Sequence, residues 1–146
     1  MRKPFSKEQH EQDDAPAKKA VSRFLFKRWK YIPLENRDQY GVDILCYKDG
    51  KVVGYVEVER RHSWRGNFTY QTVHVPARKK KYFDVPNTII FSVRRDLRKA
   101  YWTTGQKVLE SPIIFLDNKE CKNEDFFDVP LEKWTLDGRA SCRERV

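Results

Sequence analysis

The sequence predicts an α/β (α+β) domain, a mixed β-sheet with a central antiparallel hairpin flanked by helices. Three observations lead to it. Apolar residues recur at helical spacing before residue 30. Two β-rich runs, DILCY and KVVGYVEVE, bracket Lys48-Asp49-Gly50. A separate apolar run, NTIIFSV at 87–93, follows a short segment that begins at Pro76. A helix, a hairpin, a helix and a strand in that order give a mixed sheet with helical layers.

The chain has 146 residues, of which 39% are hydrophobic and 14% aromatic. That is enough apolar material for one core and too little length to expect two domains, and it argues against disorder. Residues 1–13 are polar and expected to be mobile, and 14–137 form the single domain. Residues 138–146 (GRASCRERV) resemble the in-frame translation of a sequencing-library adapter and are set aside as non-native.

Within the domain, Asp14 is placed to cap a helix with Pro16 in its first turn, running to about Lys30. Ala17, Val21, Phe24, Leu25 and Trp29 make its apolar stripe. Lys19, Arg23, Lys27 and Lys30 make a basic one, which either follows phosphates or is a solvated face. Residues 33–40 read as a loop carrying Glu35 and Asp38.

The hairpin comes next. A three-residue loop, with a type I turn and Gly50 left-handed, pairs Tyr47 with Lys51, Leu45 with Val53 and Asp43 with Tyr55. This register puts Val42, Ile44, Cys46, Val52, Val56 and Val58 on one face and Asp43, Tyr55, Glu57 and Glu59 on the other. A two-residue Asp49-Gly50 turn would separate Asp43 from both glutamates, and the apolar pattern argues against it. A basic, aromatic segment (RRHSWRGNFTY) then leads to a short helix over 76–83, a buried strand over 87–93, and further strands at 101–103 and 113–116.

The formal charge is +9. The suspect tail holds Arg139, Arg143 and Arg145 against Glu144, so +7 remains in the domain. A pI near 9.5 fits a polyanionic partner, whose counterions are released when phosphates are neutralised. Cys46, Cys121 and Cys142 have neither a disulfide framework's even count nor zinc-site spacing, and read as reduced thiols. No apolar run is long enough to span a bilayer, and the N-terminus does not look like a signal peptide. The expected location is the cytoplasm, without a membrane partner.

Two carboxylates at i and i+2 on one strand, facing a third across a hairpin, repel one another unless a cation sits among them. Asp43, Glu57 and Glu59 are therefore candidate ligands for Mg²⁺ or Mn²⁺, hard ions that prefer oxygen donors. Here the sequence resembles a known family. Tyr-Gly-Val-Asp at 40–43, the hairpin, and Glu57-Val58-Glu59 resemble the signature of the PD-(D/E)XK nuclease superfamily, with spacing similar to that of archaeal Holliday-junction resolvases. The resemblance covers roughly residues 15–93. It implies a restriction-endonuclease-like core and a metal-dependent nuclease, acting on DNA rather than RNA, in which Asp43 and Glu57 bind the metal.

The departure from the family lies at Glu59, where a lysine is usual. Some restriction enzymes of the superfamily carry Glu-x-Glu there, and a catalytically degenerate nucleic-acid-binding protein is the alternative. An offset motif, Glu59-Arg60-Arg61, would put Arg61 in the lysine place. Arg78 and Lys79, one turn before Tyr82 and Phe83, are the cations expected to lean toward the acids or else to snorkel at the surface. The catalytic set is thus Asp43, Glu57, Glu59, Arg61 and Lys79. Arg60, Arg61, Trp64, Arg65, Arg78, Lys79, Lys80 and Lys81 form the candidate nucleic-acid surface, with Trp64, Phe68 and Tyr70 either stacking on bases or packing locally. Glu35 is either the family's upstream acid or a surface carboxylate. His62 and His74 are read as structural. Whether the chain works as a homodimer stays open.

Overall fold

The computed structural model describes residues 7–36, 41–117 and 123–138, with side chains from residue 15 to 136. Tyr40 of the motif, Asp38, Cys121 and the tail from 139, which includes Cys142, lie outside them. A six-stranded mixed sheet runs β1 (Ile32–Glu35), β2 (Ile44–Lys48), β3 (Lys51–Arg61), β5 (Thr88–Arg94), β6 (Lys99–Thr104), β9 (Thr135–Gly138). Among the described residues only β3 and β5 pair in parallel. A second sheet has the order β4 (Thr72–Pro76), β8 (Glu124–Pro130), β7 (Ile113–Leu116). Helix α1 spans Lys7–Trp29, α2 Lys80–Phe83 and α3 Gly105–Leu109. No described helix is long and apolar enough to cross a membrane.

Helix α1 covers one face of the large sheet. Ala17, Val21 and Leu25, one turn apart, are buried against Ile44, Cys46, Val56, Val58, Phe91 and Val93. Trp29 closes the layer edge-on to Phe24 and Trp102, with centroids 5.3 and 5.0 Å away. The helix begins at Lys7, so residues expected to be mobile are helical and Pro16 lies in the interior instead of the first turn. Lys, Glu and Gln before Asp14 are good helix formers, and they carry the helix past the expected cap.

The hairpin is not the expected one. Asp49 and Gly50 both have positive φ (53° and 77°), and Lys48 pairs with Lys51 across a two-residue turn. This is the type I′ geometry that Asp-Gly favours and that suits the strands' twist. The register then shifts between Cys46 and Tyr47, leaving Val53 as an extra residue, so that Cys46 pairs with Gly54 and Ile44 with Val56. The bulge restores the parity that the turn alone would have broken. Val42, Ile44, Cys46, Val56 and Val58 are buried as expected, but Val52, on the turn side of the bulge, is exposed.

Ile32–Glu35 forms edge strand β1, paired with β2, so the first three residues of the loop expected at 33–40 are strand. The strand expected at 113–116 belongs to the second sheet. That sheet, with α2 and α3, covers the other face of the large one, where Val73, Val75, Phe83, Ile90, Val108, Phe127, Val129 and Trp134 make a second core. Gly105 opens α3 because a Cβ there would lie 3.1 Å from the Cα of Phe83, so α2 and α3 meet at a glycine.

Candidate functional site

The site lies on the second face, at the edge of the second core. Asp43 immediately precedes β2 and stands opposite Glu57 on β3. The Asp43 amide donates to Glu57 Oε1 (3.2 Å), and Asp43 Oδ2 accepts from the Val58 amide (2.8 Å). Each carboxylate thus takes a hydrogen bond from the other's strand, and the bulge is what sets them face to face. Glu57 pairs with Ile90 on β5 and is almost fully buried.

Three cations attend the acids. Lys79 ends the 3₁₀ turn Ala77–Lys79 that follows β4, and its Nζ lies 3.3 Å from Glu57 Oε2. Lys18, on α1, puts its Nζ 3.4 Å from Asp43 Oδ1. Arg61 Nη2 lies 3.4 Å from Glu59 Oε2. The expectation that Lys79 leans toward the acids fits this geometry. Lys18 was missed, and no local signal could have found it, because its partner is 25 residues away on another element.

The two glutamates have opposite electrostatics. Burial, with the nearby Asp43 charge, raises the Glu57 pKa to about 7 despite Lys79. For Glu59 burial acts in the same upward direction, but Arg61, Lys79 and Arg78 outweigh it and hold its carboxyl below the usual range. For Lys79, burial alone would lower the pKa. Glu59, Glu57 and Asp43 more than offset that, and Arg78 only partly opposes them, so the ammonium stays firmly protonated.

Among the described residues no group of three His, Cys, Asp or Glu side chains could hold one metal ion. The expected three-carboxylate cluster is therefore corrected to a facing pair, Asp43 and Glu57, with Glu59 drawn off by Arg61. The pair alone fits the chemistry of Mg²⁺, which usually takes one or two carboxylates and completes its shell with water and phosphate oxygens.

Other candidates are placed elsewhere. Arg61 is a clamp between the sheets: it donates to Ser92 Oγ (3.2 Å) and to the His74 carbonyl as well as facing Glu59. Trp64, expected on the nucleic-acid surface, is buried. It stacks on Tyr101 (5.2 Å), meets Phe68 edge-on and donates its indole N–H to the Gly66 carbonyl (2.8 Å), so both the ring and its polar edge are occupied within the chain. Local packing of these aromatics is the alternative the structure adopts. Arg60 donates twice to the Arg95 carbonyl (3.2 and 2.7 Å). Arg65 is exposed. Arg78 pairs with Glu124 (2.9 Å), Lys80 with Asp84 (3.0 Å), and Lys81 lies over the Tyr82 ring (5.1 Å). His74 pairs with Asp128 (3.2 Å) across β4 and β8. Glu35 pairs with Ile44 at the end of edge strand β1 and is exposed, on the α1 face of the sheet. The chain matches no protein-family model and no curated protein significantly.

Proposed function

We propose that this chain is a metal-dependent nuclease of restriction-endonuclease-like core, acting on the phosphodiester bonds of DNA in the cytoplasm. The observation that carries the reading is the opposed Asp43–Glu57 pair with Lys79 at 3.3 Å from Glu57. Two carboxylates and one lysine converge there from a bulged hairpin and a separate turn. In this reading Lys79 supplies the cation that the motif lacks at Glu59.

Asp43 and Glu57 would hold Mg²⁺ or Mn²⁺, which when bound supplies Lewis-acid stabilisation of the phosphoryl oxygen and a nucleophile at neutral pH. The chain's own residues do the rest. Lys79, firmly protonated, cannot act as a base; it holds the scissile phosphate and offsets the charge that develops on it. Glu59, ionised beside Arg61, keeps Lys79 charged and aimed. Arg61 fixes Glu59 and joins β3 to β4, so the turn carrying Lys79 is held in register with the carboxylates.

A second reading has its own observation. Asp43, Glu57 and Glu59 each have a partner cation in Lys18, Lys79 and Arg61, so the site is neutralised without metal, as a non-catalytic nucleic-acid-binding protein would require. The two are separated by incubating the protein with labelled single-stranded, duplex and branched DNA and with RNA, in Mg²⁺ or Mn²⁺ and in chelator. Metal-dependent cleavage that is lost in Asp43→Asn and Glu57→Gln is expected. Binding without cleavage in any metal, and no rise in Tm with metal, would leave only the second reading. For the nuclease, that rise is RT ln(1 + [L]/Kd), about 2.7 kcal/mol of stability at a hundred times Kd, and Asp43→Asn should lose most of it.

A further inference from the structure

We infer that the corner built from residues 60–66 and the β5–β6 hairpin tip, residues 94–99, is the surface that binds the nucleic-acid backbone and leads it to the Asp43–Glu57–Lys79 site. The inference rests on the nucleic-acid reading above and names the surface it uses. The two segments are far apart in sequence and stitched into one body. The Arg95 amide donates to the Trp64 carbonyl (3.0 Å), Arg60 donates twice to the Arg95 carbonyl, and Arg94 Nη1 reaches the Gly66 carbonyl (3.4 Å). Trp64, buried on Tyr101, anchors the joint from beneath.

The charge on this corner is one-sided. Its segments contain Arg60, Arg61, Arg65, Arg94, Arg95, Arg98 and Lys99, with Asp96 as their one acid. Asp96 is consumed in shaping the tip. Arg94 grips both its oxygens at 2.8 Å, and the Arg98 amide donates to it (3.0 Å). The hydrogen bond from Arg94, with the backbone donor and the fields of Arg94 and Arg98, outweighs a small burial effect and keeps the Asp96 carboxyl below its usual range. Arg65, Arg95 and Arg98 are left exposed on a rigid mount. Arginines on a pre-ordered surface lose little further entropy when they take a phosphate, and their fork matches its oxygens.

The placement fits the site. Arg60, where the corner begins, lies three residues beyond Glu57 on β3, about 10 Å at the rise of an extended strand. That distance is about three base-pair steps of duplex. A backbone with one phosphate at Lys79 would therefore reach the corner within half a turn of helix. An acidic protein would meet the same charge, but has no reason to continue toward a site built for phosphate.

The test is salt-dependent binding of a labelled DNA duplex to the full chain, in chelator, followed by anisotropy. Replacing Arg65, Arg95 and Arg98 together by Gln should reduce the slope of log K against log salt by about 2.7, that is 0.9 for each lost phosphate contact, while the same three changed to Lys should keep most of it. Arg78→Gln, Lys80→Gln and Lys81→Gln together, whose cations are paired within the chain, should change the slope by less than about 1. If the Gln triple melts early, the single variants carry the same test at one contact each. An unchanged slope in a folded Gln triple would overturn the inference, as would displacement of the DNA by poly-glutamate at lower charge concentration than by unlabelled DNA. Failure of the site reading is distinguishable. A chain that binds DNA through this corner but cleaves nothing keeps the inference and loses the nuclease, whereas one that cleaves with the slope unmoved does the reverse.

Discussion

Two basic regions lie near the carboxylates, and they have been put to opposite uses. In the segment from Arg78 to Lys81 every cation has a partner inside the chain: Glu124, Glu57, Asp84 and the Tyr82 ring. At the corner of 60–66 and 94–99 the single acid is spent on loop geometry, and three arginines face solvent. By density of positive charge along the chain the first region looks the better phosphate surface. The second shows what density leaves out, namely which cations already have a partner within the chain. The first region places one buried lysine beside Glu57, and the second leaves three arginines to solvent.

The comparison is open to breaking, starting with the largest effect. Trp64→Ala removes the anchor beneath the corner and should cost about 3–5 kcal/mol of stability, as for other buried aromatics. Urea denaturation measures it. A loss below about 1 kcal/mol would mean that the corner is not a rigid mount.

Next come the separate roles of the two regions. Lys79→Met should lower kcat by about 10²–10³-fold, the size seen when one group that stabilises developing charge is removed, with the salt slope of DNA binding in chelator lowered by no more than about 0.9, one phosphate contact. The Arg65, Arg95 and Arg98 triple should show the opposite pattern, weaker binding with kcat at saturation preserved. Single-turnover kinetics beside binding isotherms read both. Equal losses of kcat and affinity in both variants would collapse the distinction.

The third concerns pH. Glu57 has its folded-state pKa raised from 4.5 to about 7, so the folded state binds the extra proton and stability falls as pH rises between those values, in chelator, by on the order of 3 kcal/mol. Glu59 runs the other way. Its pKa is lowered, so its contribution is complete above 4.5 and lost as pH falls below it. Glu57→Gln should flatten the stability profile between pH 4.5 and 7 and leave the acid limb intact, while Glu59→Gln should flatten only the acid limb. Chemical denaturation across pH is the measurement, and a Glu57→Gln profile that still falls over that range would remove burial of the carboxylate as its cause.

The smallest effect sharpens the view of the paired segment. Lys80 and Asp84 form an exposed i, i+4 pair, so Lys80→Ala should cost only about 0.3–0.5 kcal/mol and shift the salt slope hardly at all. A salt-slope change as large as that of a corner arginine would show that Lys80 is not committed to Asp84.

By itself the sequence determined the mixed α/β composition, the apolar stripe of the first helix, the buried strand at 88–94 and the parity that puts Asp43 and Glu57 on one face, because each is written in side-chain periodicity over neighbouring residues. The alternation of Val42, Ile44, Cys46, Val56 and Val58 was strong enough to give the right face through the wrong turn. Asp-Gly imposed its own two-residue geometry, and the bulge at Val53 reconciled the two demands, at the expense of Val52, which lies exposed. Strand β4, with Val73 and Val75 buried, was not among the expected strands, because its five residues lie between a basic loop and the turn at Pro76. What only the tertiary structure decided were the meetings between distant segments: Lys18 with Asp43, Lys79 with Glu57, Arg61 with His74 on β4, and the 60–66 loop with the 94–99 tip. An ion pair across elements leaves no periodic trace in the chain, since its free energy depends on distance and burial that arise after packing. The same reason moved Trp64 from a surface to a core: its composition of ring and N–H suits either place, and the stack on Tyr101 with an acceptor at Gly66 settled which.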